Sequence, residues 1–148
     1  MNRIVWLLAL AAVLAGCATT ERHTRVARLR EAPSRQFEAY VFSPATPLAD
    51  RIGPPPDVVL DFLREFDGRS DYSAHHPDSA ERELLTAQLE LLPLFYLPVL
   101  RERLLGIYLV DNFQGSGFAD YVLARDGTMY TYIVINPAAM HETMSAWL

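Results

Sequence analysis

The chain opens with an apolar block that ends at two small residues. Thirteen of the first 16 residues are hydrophobic, and Ile4 to Leu14 form an unbroken apolar run behind the positive charge of Arg3. A run of about 11 residues is too short for a helix that crosses a hydrocarbon core, which needs about 20. A charged start, a short apolar run and small residues are typical of a cleaved export signal. We therefore predict a signal peptide over residues 1–16, and the remaining 132 residues must supply the fold.

The signal ends in Leu14-Ala15-Gly16-Cys17, which resembles the lipobox of bacterial lipoproteins. The resemblance implies that the Cys17 thiol carries a diacylglycerol, that cleavage follows Gly16, and that the new amino group of Cys17 is acylated, with palmitate as an expected chain. Ala18, rather than an aspartate, follows the cysteine, which in that family implies sorting to the outer membrane with the protein facing the periplasm. Inner-membrane retention, secretion and an ordinary signal peptide with an unrelated cysteine are the alternatives.

Charge divides the mature chain into two parts. Residues 17–35 hold five arginines and two glutamates, a net charge of +3, and are predicted to be a lipidated cysteine with an arginine-rich tether. Beside a lipid anchor, each arginine adds about 1 kcal/mol of attraction to anionic headgroups; a merely solvated tether is the alternative. Residues 36–148 contain 7 arginines and 16 acidic residues, so we expect no nucleic-acid partner.

The segment 36–148 has the length of one domain, and Cys17 is the only cysteine, so no disulfide forms within the chain. The last apolar pair, Trp147-Leu148, ends a helical stripe without a capping residue. That ending suggests either tight docking of the last helix or truncation of the domain at its carboxyl end.

Local patterns predict one strand and then several helices in the first half of this domain. Aromatic and branched residues over 36–42 predict a strand, and the helical spacing of Val58 to Phe66 predicts a helix from Asp57 to Phe66 that Gly68 stops. Asp78 and Glu81 have the spacing of a capping box, with a leucine stripe in the helix that follows. A kinked or restarted helix over Leu94 to Leu105, closed by Gly106, comes next.

From Ile107 the pattern becomes extended. Strands are predicted at 107–110, 119–123 and 129–135, with a tight turn at Asp126-Gly127 and a helix start at Asn136-Pro137. The predicted fold class is α+β, an antiparallel three- to four-stranded sheet (a meander) packed against several helices.

Few residues suggest chemistry, and no catalytic residue or cofactor is predicted. His75 and His76 are weak candidates for metal ligands, because a site would need further ligands from elsewhere. His141-Glu142 begins like a zinc-peptidase helix motif, but Ser145 stands where its second histidine would be.

A glycine-rich stretch, Gln114, Gly115, Ser116 and Gly117, is a candidate ligand- or peptide-contacting loop, with a plain strand connection as the alternative. A small-ligand carrier lined by aromatic residues is a further alternative that would need a sizeable apolar pocket. The aromatic residues considered for that lining are Phe95, Tyr96, Phe113 and Phe118.

Three stretches, 104–112, 115–117 and 133–137, resemble the amino-terminal part of an uncharacterised group of bacterial secreted proteins. In that group a zinc-peptidase-like helix is expected further downstream, so the resemblance implies that this chain is the non-catalytic front portion of a membrane-tethered metallopeptidase-like protein. The first hypothesis is instead a periplasm-facing lipoprotein that is a structural or interaction module, with a protein partner in the periplasm.

Overall fold

The computed structural model of the protein describes residues 31–141, so the signal peptide, Gly16, Cys17 and most of the tether lie outside the described residues, as does the end of the predicted last helix. Within this range the α-helices are α1 Asp57–Asp67, α2 Ser79–Glu90 and α3 Tyr96–Arg103. The strands are β1 Ile52–Gly53, β2 Ser73–Ala74, β3 Leu104–Asp111, β4 Gly117–Leu123 and β5 Met129–Ile135. Short 3-10 helices occupy Pro33–Arg35, Phe37–Ala39, Leu48–Arg51 and Pro137–His141. None of the helices described here is long and apolar enough to span a bilayer.

The strands form one mixed sheet in the order β1-β3-β5-β4, and β2 pairs with β3 off this path. β1 and β5 run parallel to β3, whereas β4 runs antiparallel to β5 and β2 antiparallel to β3. The α+β class is thus confirmed, but the antiparallel meander is wrong, because β5 lies between β3 and β4. Leu104 to Val110 are all buried, and a strand covered on both faces belongs in the centre of a sheet with neighbours on both sides.

Each face of the sheet has its own apolar layer. On one face, leucines of α2 and α3 pack against alternate residues of β1, β3 and β5. The buried members of this cluster are Ile52, Leu85, Leu104, Ile107 and Leu109, and Leu89, Leu100, Ile133 and Ile135 pack against them. On the other face, the ring of Tyr132 lies 5.9 Å from Tyr108 and 6.2 Å from Tyr40. α1 covers this second face, with its Phe66 ring 6.3 Å from Phe118 of β4.

Several local predictions are confirmed. The predicted helix over 57–66 is α1, which ends one residue later, at Asp67, and is capped by Gly68 in the left-handed conformation, φ 67°. The capping box is present at the start of α2: the Glu81 amide donates to Asp78 Oδ1 at 2.9 Å, and the Asp78 amide donates to Glu81 Oε2 at 2.9 Å. The turn at Gly127, φ 82°, joins β4 to β5.

The strand predicted over 36–42 is wrong. Phe37–Ala39 is a 3-10 helix, and backbone pairing here is reduced to a single bridge between Gln36 and Leu123. The aromatic side chains instead pack on one another, with the Phe37 ring stacked 4.3 Å from Tyr130. Aromatic content alone therefore does not predict a strand, since ring packing also stabilises a non-extended backbone.

The helix predicted over 94–105 is also shorter than expected. α3 ends at Arg103, and Gly106, the expected stop, lies inside β3. A Cβ atom at Gly106 would overlap the ring of Tyr108, so this glycine allows the ring to lie over the strand. In α2, Leu85 is buried but Leu84 is exposed, as is Leu91 directly after the helix, so the predicted leucine stripe faces the core only in part.

Candidate functional site

His75 lies between two carboxylates. Its Nδ1 is 2.9 Å from Asp111 Oδ1, and its Nε2 is 2.9 Å from Glu81 Oε2 and 3.1 Å from Oε1. The backbone places the ring: His75 follows β2, which pairs with the end of β3 where Asp111 stands, and its amide donates to the carbonyl of Leu109 at 3.0 Å. Glu81 is held by the capping box of α2.

Burial lowers the pKa of His75, but the hydrogen bonds and charges of Glu81 and Asp111 raise it by more, so the net shift is upward. The hydrogen bond from His75 lowers the pKa of Glu81, and the amide of Asp78 lowers it further. A protonated imidazole donates from both ring nitrogens and has no lone pair for a metal. The geometry therefore favours a protonated His75 that bridges the carboxylates of Glu81 and Asp111 and so links β2, β3 and α2. We call these three side chains the clamp.

The weak prediction of a histidine metal site receives no support from this arrangement. His76, the second candidate, is exposed next to His75. Within residues 31–141, no group of three or more histidine, cysteine, aspartate or glutamate side chains is placed to hold a metal ion.

The predicted ligand loop joins β3 to β4, and its backbone is held by hydrogen bonds to Asn136 and Tyr72. Asn136 Nδ2 donates to the carbonyls of Phe113 at 2.9 Å and Gly115 at 3.1 Å, and the Asn136 amide donates to Ser116 O at 3.1 Å. The Gln114 amide donates to the Tyr72 hydroxyl at 3.2 Å. Gly115 has φ 102°, which only glycine adopts readily. Because much of the loop backbone is bonded within the protein, a ligand would contact mainly the exposed side chains of Gln114 and Ser116.

Arg51 is a buried cation that the sequence analysis missed. Its guanidinium donates to six backbone carbonyls, at distances from 2.6 Å for Leu104 to 3.3 Å for Ser43 and Leu100. The other acceptors are the carbonyls of Pro44, Thr46 and Arg101. Burial lowers the pKa of Arg51 from its ordinary value, yet an arginine remains charged. Two acceptors, Leu100 and Arg101, belong to the carboxyl end of α3, where the helix dipole is negative, and Leu104 begins β3. Arg51 therefore joins the loop over residues 43–46 to the junction of α3 and β3.

A cleft of about 340 Å³ opens beside Arg51. Burial raises the pKa of the Tyr108 phenol in its wall to about 12, so that phenol is neutral near pH 7. The charged groups at the cleft besides Arg51 are Arg82, which donates to Ile52 O at 2.5 Å, and the exposed Asp50. The lining residues are Val41, Phe42, Ser43, Thr46, Asp50, Arg51, Ile52, Gly53, Pro54, Arg82, Leu105 and Tyr108. None of the four aromatic residues considered for a ligand carrier is among them.

A second surface feature is apolar. Nine consecutive hydrophobic or proline residues, Leu91 to Val99, connect α2 to α3 and form the outer side of α3; we call this segment the apolar ridge. Leu94 is 81% exposed, Leu91 76% and Phe95 69%. Large side chains at such exposure in one continuous segment mark an interaction surface more often than a solvated one. The sequence signal for it was the pair of prolines, Pro93 and Pro98, which prevents one long buried helix over this run.

Comparisons with known proteins assign no family. No family model, curated protein or solved structure matches the chain. The functional argument therefore depends on the residues of this chain alone.

Proposed function

We propose that the protein is a lipoprotein, anchored through Cys17 in the outer membrane and facing the periplasm, whose α+β domain is an interaction module. The observation that carries the proposal is the segment Leu14-Ala15-Gly16-Cys17 directly after the apolar run of Ile4 to Leu14. A signal of this length followed by a small pair and a cysteine is suited to export and thiol acylation. Two or more acyl chains then hold a protein at a bilayer stably, whereas a single chain does not.

The charge distribution supports this proposal. The +3 tether would lie next to the anchor, where anionic headgroups attract arginine. The region from Gln36 onward, with 7 arginines and 16 acidic residues, carries the opposite sign. A protein with this asymmetry favours the bilayer at its amino end and keeps most of its acidic surface in water.

The test is mass spectrometry of the mature amino-terminal peptide from a bacterial host. We expect a chain that begins at Cys17, with the mass of a diacylglycerol and one further acyl group, and no such adduct in the Cys17→Ser variant. A native product that still begins at Met1, or a Cys17 without lipid, would contradict the proposal.

The membrane of residence needs a separate experiment. Ala18→Asp is expected to move the lipidated protein from outer-membrane to inner-membrane fractions on a density gradient, as the lipoprotein resemblance implies. Ala18→Ser is the matched control and should stay in the outer membrane. Recovery of the wild type and of Ala18→Ser in the inner-membrane fraction would leave the lipid anchor standing but contradict the outer-membrane assignment.

A further inference from the structure

The apolar ridge is a rigid surface. The Tyr96 amide donates to Pro93 O at 2.9 Å and the Leu97 amide to Leu94 O at 3.3 Å, which closes successive turns. On the inner side of α3, Leu100 packs against the core cluster of the sheet. At the carboxyl end, Arg51 binds the last carbonyls of α3. The exposed side chains are therefore displayed on a fixed backbone, and little ordering entropy is lost when a partner covers them.

The exposed side chains suit the interface of a bilayer. Leu91 and Leu94 are branched and apolar, and the rings of Phe95 and Tyr96 lie 4.2 Å apart on the surface. Aromatic rings with a polar tip, such as tyrosine, are enriched at the level of lipid headgroups, whereas leucine and phenylalanine enter the acyl region. Val99 continues this surface one turn along α3 and is 57% exposed.

Charge and tether length favour lipid over other occupants. Arg101 is exposed at the end of α3, next to the ridge, and can reach anionic headgroups, whereas the guanidinium of Arg103 lies 5.6 Å from the centroid of the Tyr130 ring. Fifteen residues separate Cys17 from Pro33, so a fully extended tether keeps the start of the domain within about 55 Å of the bilayer. A surface held this close meets lipid at a high effective concentration.

We propose that the apolar ridge inserts into the same membrane leaflet that holds the acyl chains of the anchor, as a second lipid contact of the same molecule. The contact deepens the proposed function, since the lipid anchor at Cys17 brings the ridge to the bilayer. It differs from the anchor in being reversible and in using Leu94 and Phe95 as its inserted side chains.

The first test measures depth in the membrane with a nitroxide spin label. In the lipidated protein Cys17 is acylated, so Leu94→Cys provides the one reactive thiol of the chain. In vesicles of phosphatidylethanolamine and phosphatidylglycerol, this label should become accessible to oxygen and protected from a water-soluble nickel complex. Glu65→Cys on α1, which covers the opposite face of the sheet, is the matched control and should remain accessible to the nickel complex.

The second test separates the ridge from the anchor. In a Cys17→Ser background that begins at residue 17, the label at position 94 should still show partial protection with the same vesicles. If Cys17 proves unlipidated, the proposed anchor fails while this measurement still decides the ridge. Aqueous behaviour of the label both in this background and in the lipidated protein overturns the ridge proposal and leaves the anchor intact.

A variant pair tests the side chains themselves. Leu94→Glu with Phe95→Glu should weaken vesicle binding of the Cys17→Ser protein by at least about tenfold, because two large apolar groups are replaced by charges. Leu123→Glu, an exposed leucine on β4, should leave binding unchanged. Both variants should keep the unfolding temperature within a few degrees, because the substituted side chains are exposed. The proposal is overturned if the ridge variant and the β4 variant bind vesicles equally. It is also overturned if the label at position 94 is already shielded without vesicles, by a second copy of the chain or by residues 142–148.

Discussion

Arg51 brings together two segments about 50 residues apart through backbone carbonyls alone. Its planar fork presents five N–H donors, and the structure supplies six carbonyl oxygens around them. The ring of Phe42 adds a cation-π contact, with the guanidinium carbon 4.9 Å from its centroid. Neutral acceptors offset the desolvation of the charge here, and two of them, Leu100 and Arg101, lie at the carboxyl end of a helix, where the dipole is negative.

Replacing Arg51 by lysine should destabilise the domain by about 2–4 kcal/mol, because an ammonium group satisfies at most three of the carbonyls and the remainder stay buried without a donor. Chemical denaturation of the full-length variants measures this loss. Arg82→Lys is the matched control: Arg82 is exposed and donates to one carbonyl, so its loss should stay below about 1 kcal/mol. Equal losses for the two variants would show that the carbonyl cluster has no special role.

His75 should make stability depend on pH. Its folded pKa is raised, so the stabilisation is fully present below its unfolded value of about 6.5 and is lost as the pH rises through the folded value. The pKa of Glu81 is lowered, so its contribution is present above its unfolded value and is lost as the pH falls through the folded value. Both contributions are therefore fully present between the unfolded pKa values of Glu81, about 4.5, and His75, about 6.5, and the clamp is strongest in this weakly acidic range.

His75→Gln should remove about 1 kcal/mol of stability at pH 6 and much less at pH 9, since the wild-type clamp is already weakened there. Thermal unfolding at a series of pH values measures the difference between the two proteins. His76→Gln, at the exposed neighbouring histidine, is the control and should run parallel to the wild type. A constant difference between His75→Gln and wild type across this pH range would contradict a titrating clamp.

At the scale of elements, β3 organises the domain. It is covered by leucines on one face and by tyrosines on the other, and it pairs with β1, β2 and β5. Its register with β5 shifts between Leu104 and Gly106, which leaves Leu105 as an extra residue in the wall of the cleft. This bulge and the glycine that follows it are how a strand with two buried faces accommodates the ring of Tyr108.

Gly106→Ala should cost about 1–3 kcal/mol, because the new methyl group overlaps the Tyr108 ring and forces a strained repacking. Gly53→Ala is the matched control in β1: a Cβ atom there meets nothing within 4 Å, and the expected change is below about 0.5 kcal/mol. Urea denaturation compares the two. If Gly106→Ala were as stable as Gly53→Ala, the close approach of Tyr108 would not be a constraint of the fold.

The elements that the sequence predicts correctly depend on neighbours within a few positions. The helix α1 with its stop at Gly68, the capping box of Asp78 and Glu81, and the turn at Gly127 are of this kind. The order of the strands is not, because insertion of β5 beside β3 depends on burial of both faces of β3. The unbroken apolar run over 104–110 is a signal for such a strand, although local patterns divide it between a helix that ends at Leu105 and a strand that begins at Ile107.

The features of the candidate site likewise differ in whether local sequence or long-range contacts determine them. The two prolines of the ridge predict an interrupted helix without knowledge of the fold, but the exposure of its apolar side chains is known only from the structure. The acceptors of Arg51 are backbone carbonyls from two distant segments. Because every residue type has the same backbone carbonyl, no sequence motif could have predicted these contacts. The contact of His75 with Asp111 likewise needs the pairing of β2 with β3.

At the scale of the whole molecule, the described residues from Pro33 onward form one compact unit. Its amino-terminal limit is defined by an ion pair: Arg35 Nε is 2.9 Å from Asp120 Oδ2, and Arg35 Nη2 is 3.1 Å from Oδ1. The side chains are only 15% and 6% exposed. Sequence patterns placed the start of the domain at Gln36, which would leave Arg35 in the tether and Asp120 buried without its partner.

A chain that begins at Pro33 should therefore unfold in one cooperative transition, whereas a chain that begins at Gln36 should be less stable by about 3 kcal/mol, because breaking a buried pair leaves a charge uncompensated. Denaturation followed by both circular dichroism and fluorescence measures the loss and shows whether the transitions coincide. Asp120→Asn provides the sharper control, since its effect should change sign. It should destabilise the chain that begins at Pro33, where the charge pair is lost, and stabilise the chain that begins at Gln36, where an isolated buried carboxylate becomes neutral. Loss of stability of the same sign and size in both chains would mean that the ion pair does not define the boundary, and that residues 33–35 contribute through packing alone.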